Sequence, residues 1–103
     1  MPYLEDFESV TPPALNDCTI AVKTGPANTW TTNATTVGGH SSNTLRYMYS
    51  YAGAANTWFF TKGVNLTAGT SYRVSYKYGG SSTYYVEKLK VAYGLTQNVA
   101  GMT

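Results

Sequence analysis

The sequence predicts an all-β chain folded as an antiparallel β-sandwich, on three observations. Apolar and polar residues alternate with period two in several short runs, turn residues punctuate these runs at roughly 8–12-residue spacing, and no helical period is convincing before residue 96. The densest of these signals lies between Asn56 and Tyr72, where an aromatic run, a short apolar run, an Ala68-Gly69 turn and a third run follow one another.

Taken in order, residues 3–8 read as an opening strand, with Tyr3, Glu5 and Phe7 on one face and Leu4, Asp6 and Glu8 on the other. Thr11-Pro12-Pro13 ends it, because neither proline has an N–H to donate to a ladder. Alternation of Cys18, Ile20 and Val22 predicts a second strand, closed by Thr24-Gly25-Pro26. β-Branched threonines around Trp30 predict a third over 28–33. A loop with Gly38 and Gly39 follows, then a strand over 44–51 with Leu45, Tyr47, Tyr49 and Tyr51 on one face. Trp58-Phe59-Phe60 is continuously apolar, which predicts a strand buried on both faces at the centre of the sandwich. Residues 71–78 and 84–93 alternate on either side of Gly79-Gly80-Ser81-Ser82. They predict a hairpin with Tyr72, Val74, Tyr76, Leu89, Val91 and Tyr93 facing the core. Residues 96–102 have room for one or two helical turns.

The 103 residues of the chain bound it to one domain, 1–103. Charged residues are only 12% of the chain, and its polarity comes from Thr, Ser, Asn and Gly instead. A formal charge of +2 leaves no electrostatic footprint for nucleic acid, and no apolar run approaches the roughly 20 residues of a spanning helix. The single cysteine, Cys18, has no internal partner for a disulfide and reads as a small buried hydrophobe on its strand. His40 is the only histidine; with Ser41 beside it on a loop, it lacks the oriented partner that nucleophilic catalysis needs. The expectation is that the chain is not an enzyme.

Four segments carry a resemblance. Tyr3-Leu4-Glu5-Asp6-Phe7-Glu8 comes first, then Trp30 with Gly38-Gly39-His40-Ser41 and Leu45-Arg46-Tyr47. The stretch from Asn56 to Tyr72 follows, and Glu87-Lys88-Leu89-Lys90-Val91-Ala92-Tyr93-Gly94 with Ala100-Gly101-Met102-Thr103 completes the series. In that order the chain resembles the choice-of-anchor J and cleaved-adhesin domains, MAM-like and gingipain-adhesin-like modules of secreted and surface proteins of Bacteroidota. Thr57 and Lys62 depart from the pattern, where such domains often carry Asp and Pro. The resemblance implies a jelly-roll sandwich of which this chain is the N-terminal two-thirds, without the acidic closing strand that lies beside the first. It also implies a secreted or cell-surface location, with a leader already removed. The function implied is non-catalytic adhesion to glycans or to host and matrix proteins. The alternative is a structural spacer or assembly unit, a homo-oligomer built by strand addition at exposed edges.

Two sets of candidate residues follow. Asp6 and Glu8 lie two positions apart on the expected first strand, so their carboxylates could begin a structural calcium site; the resemblance places such a site beside the closing strand. Tyr84 and Tyr85 adjoin a Gly/Ser loop and are the aromatic pair expected to stand exposed, as a stacking platform for a glycan.

Overall fold

The computed structural model describes residues 3–85 and 87–103. Four strands of four residues each form in chain order: β1 (Ile20–Lys23), β2 (Thr31–Ala34), β3 (Asn43–Arg46) and β4 (Thr57–Phe60). All are β-branched, aromatic or amide-bearing segments that suit a pleated surface better than a helix. They pair antiparallel into two small sheets, β1 with β4 and β2 with β3. The pairing is nested: the β2–β3 hairpin lies, in sequence, inside the β1–β4 pair. A β-rich antiparallel fold is therefore present, in a sparser form than the one predicted.

Register assigns the faces. In the outer pair Ile20 opposes Phe60 and Val22 opposes Trp58, while Ala21 opposes Phe59. Trp58 and Phe60 share one face and stack, with centroids 6.1 Å apart and rings 9° from parallel. Phe59 points to the other face and meets Phe7 edge-on at 5.8 Å. The continuous apolar run thus serves two faces, but of its three rings only Phe60, 4% exposed, is buried, and Trp58 and Phe59 stay half-buried. In the inner pair Thr32 opposes Leu45, and Trp30 meets Tyr47 edge-on at 5.9 Å just beyond the ladder. Thr32 is buried, and its hydroxyl donates to the Ala14 carbonyl at 2.6 Å, which satisfies both groups.

Several expected elements take another form. Residues 3–8 are not a strand. Glu5 Oε1 accepts the Phe7 N–H at 2.9 Å and Asp6 Oδ1 accepts the Glu8 N–H at 3.1 Å, so short acidic side chains compete for the donors a ladder would use. Phe7 takes a positive φ of 61° within this turn. Asn43 holds the turn from across the chain, donating from Nδ2 to the carbonyls of Phe7 at 2.9 Å and Val10 at 3.0 Å. Cys18 is exposed rather than buried, because its backbone, at φ 63°, turns into β1 before the ladder begins at Ile20. The strand over 44–51 ends at Arg46; Tyr49 and Tyr51 are exposed and pack edge-on against each other.

The largest correction concerns residues 61–93. No named strand falls among the described residues there, and Tyr72, Val74, Tyr76, Leu89, Val91 and Tyr93 are exposed, Val74 by 78%. Val86 of the expected second strand lies outside the described residues. Alternation tells which side chains share a face; it does not supply a surface for that face to cover. The Ala68-Gly69 turn does form, with Thr70 N–H donating to Thr67 O at 3.2 Å and Gly69 at φ 79°, the left-handed value a type II turn requires.

Residues 62–96 thus make one long excursion. Gln97 Nε2 closes its base, donating to Thr61 O at 2.7 Å and Cys18 O at 2.8 Å. At its far end the backbone of Gly79 rests directly on that of Gly38, a contact too close for a Cβ on Gly79. The tail folds into a short 3-10 turn, Val99–Gly101, capped by Asn98 Oδ1, which accepts the Gly101 N–H at 2.7 Å.

Replacing Asn43 with Ala removes both bonds that hold the 7–10 turn and leaves two carbonyls unpaired. The expected loss is about 1–3 kcal/mol in chemical denaturation. A loss within error of zero would show that the turn is held by other means.

Candidate functional site

Asp6 and Glu8 are both exposed, in the turn that replaces the expected first strand. Asp6 Oδ1 is taken up by the Glu8 N–H. Glu8 Oε1 accepts from the Ser42 hydroxyl and from the Asn43 N–H at 3.1 Å, so this carboxylate ties the turn to the start of β3. A calcium ion requires roughly six to eight oxygens. Two carboxylates with one oxygen each already engaged do not make up that sphere. Among the described residues, no three His, Cys, Asp or Glu side chains group so as to hold a metal ion.

Asp6, without Glu8, also lines an open cleft of about 520 Å³. Glu5, Asp6 and Asp17 line it together with Asn16, Tyr3 and Lys62. Lys62 Nζ stands 5.3 Å from the centre of the Tyr3 ring, a cation–π contact that brings a base of the long excursion to the acidic side of the head. Tyr3 is half-buried, and that burial, with the neighbouring Glu5 charge and hydrogen bond, raises its phenol above the usual value. Sequence reasoning singled out Asp6 and missed Asp17. The two stand eleven positions apart, and only the turn at 7–10 brings them to one cleft.

Tyr84 and Tyr85 are exposed by 91% and 76%. Tyr84 borders an open hollow of about 470 Å³ whose other lining residues are Gly80, Ser81, Ser82 and Thr83. One wall is therefore an aromatic ring, and the rest is hydroxyl groups and glycine backbone. Ser82 Oγ accepts the Tyr84 N–H at 3.1 Å, which fixes the backbone beneath that ring. His40 is half-buried at the end of the Val37–Gly39 3-10 turn.

The same excursion holds one perturbed phenol. The Tyr72 oxygen accepts the Thr67 N–H at 2.8 Å, and this bond favours the phenolate, lowering the group below its usual 10.0. A depressed value means that the contact strengthens as pH rises through the titration.

Two outcomes follow. In an absorbance titration Tyr72→Phe should remove a tyrosine step from below the usual phenol value; an unchanged curve would show that the Thr67 contact is not maintained. The melting temperature should be the same in millimolar calcium and in chelator. A rise with calcium would mean that Asp6 and Glu8 recruit further ligands.

Comparison with models of known protein families, with curated proteins and with solved structures finds no match to this chain.

Proposed function

We propose that this chain is a non-catalytic recognition module of a secreted or surface protein, an adhesion domain of jelly-roll type. Its ligand is a glycan or an extracellular protein, engaged through the tyrosines of the long excursion. The observation that carries this reading is the hollow beside Tyr84, where an exposed ring adjoins Ser81, Ser82 and Thr83. A sugar presents an apolar C–H face, suited to stacking on an aromatic ring, and a rim of hydroxyls that pair with serine and threonine. The low charge content of 12% fits a neutral ligand better than a charged one. The order of motifs shared with the cleaved-adhesin domains supports the same class and the same extracellular setting.

The test is a glycan-array screen followed by titration of any hit. Tyr84→Ala and Tyr85→Ala should each weaken binding by about 1 kcal/mol, the usual worth of one aromatic contact. Glycan binding that survives loss of both rings would overturn the assignment of the site.

A second reading is favoured by a separate observation. Tyr93 exchanges backbone hydrogen bonds with Thr103, but the described residues from 71 to 92 lie outside any ladder, and an unpaired edge with alternating side chains is a template for another chain. On this reading the module is a self-associating spacer of a surface assembly. Its signature is a mass that rises with concentration.

A further inference from the structure

The accessible surface of the chain is 8420 Å². A folded monomer of 11.2 kDa exposes about 5,700 Å², so roughly 2,700 Å² is left uncovered. The radius of gyration, 14.6 Å, likewise exceeds the roughly 13 Å of a compact chain of this length. Covering it on two copies would bury roughly 5,400 Å² in total, at the upper end of large, permanent interfaces, which run from about 2,000 to 5,000 Å² and beyond.

Charge says how a second copy would lie. Residues 3–60 carry Glu5, Asp6, Glu8 and Asp17 against Lys23 and Arg46, a net −2. Residues 61–103 carry Lys62, Arg73, Lys77, Lys88 and Lys90 against Glu87, a net +4. Arg73, Lys77, Lys88 and Lys90 are all exposed, as are Asp6, Glu8 and Asp17. Pairing excursion with excursion would set +4 against +4. Laying excursion on head sets opposite charges together. Two-stranded sheets such as β1–β4 have open edges that accept an added strand.

We propose that two copies of this chain form a reciprocal dimer in which the basic, alternating segment 71–93 of each lies on the acidic head, residues 3–60, of the other. Made reciprocally, the two contacts are related by a two-fold axis and close the dimer; made head to tail, the same contact would propagate into a chain. It rests on the self-association reading above and gives it a geometry.

The experiment mixes isotope-labelled and unlabelled full chains at micromolar concentration. Sedimentation gives the mass, and a zero-length carbodiimide cross-linker followed by mass spectrometry locates lysine–carboxylate links between differently labelled copies. The expected result is a dimer with links from Lys77, Lys88 or Lys90 to Glu5, Asp6 or Asp17. The combined variant K77E/K88E/K90E, checked by circular dichroism for an unchanged fold, should weaken the dimer at least tenfold. So should raising the salt to half molar. A dimer without links between excursion and head, or one indifferent to the charge reversal, overturns the reciprocal geometry and leaves self-association standing. A monomer at 100 μM overturns both.

Discussion

Thr57 joins the two halves of this fold. Its carbonyl accepts the Trp30 indole N–H at 3.2 Å, its hydroxyl reaches the Val22 carbonyl at 3.3 Å, and it lies 3.3 Å from the hydroxyl of Thr29. Trp30 leads directly into β2, whereas Thr57 opens β4, so this one residue ties the inner strand pair to the outer. Neighbouring bonds extend each pair beyond its ladder: the Thr24 N–H and hydroxyl both donate to Asn56 O at 2.9 Å, and Asn28 Nδ2 donates to Met48 O at 2.9 Å and Tyr49 O at 3.0 Å. Four-residue strands hold few ladder bonds of their own, and an isolated two-stranded pair is marginal in water. What makes the nested pairs cohere is side-chain hydrogen bonding between them, with Trp58, Phe60 and Phe7 covering the faces of the outer pair.

The head and the excursion divide the labour. Residues 3–60 hold the buried residues Ala27, Thr32 and Phe60 and the side-chain bonds around Asn43 and Thr57. Residues 61–98 hold ten of the exposed large hydrophobic residues from Val64 to Val91, with Tyr93 and Leu95 beyond. Long segments without regular structure are uncommon in compact domains and are usually binding elements or linkers. This one is anchored at its base by Gln97 and at its far end by the Gly38–Gly79 contact. Tethering at both points limits the conformations from which it must be ordered, and so lowers the entropy lost when it meets a partner.

Both functional readings draw on the same property. A tyrosine at the surface offers a flat ring to a sugar and an apolar face to a protein, and an unpaired backbone offers donors and acceptors to a strand. The two differ in where they act. As proposed, stacking would use the Tyr84 hollow near the far end of the excursion, and strand addition the alternating stretches on either side of it. The hollow falls inside segment 71–93, so on these proposals a ligand and a second copy draw on overlapping surfaces.

Local chemistry decided the strand-forming runs at Ile20–Lys23, Thr31–Ala34 and Thr57–Phe60, the Ala68-Gly69 turn and the exposure of Tyr84 and Tyr85, and these were legible from the sequence. Period-two patterning, β-branching and glycine's access to positive φ act within a few residues and need no knowledge of the rest. The path of residues 3–8 was not legible: Glu5 and Asp6 alternate as a strand would, yet their carboxylates cap their own backbone. Asn43 and Gln97 gave no signal either, because an amide in a loop reads as a turn former until its partners, Phe7 and Cys18, are brought near. Above all, only the tertiary structure decided that Tyr72, Val74, Leu89 and Val91 face solvent. An alternating segment is competent to bury one face, and whether it does depends on a complementary surface that no local pattern encodes.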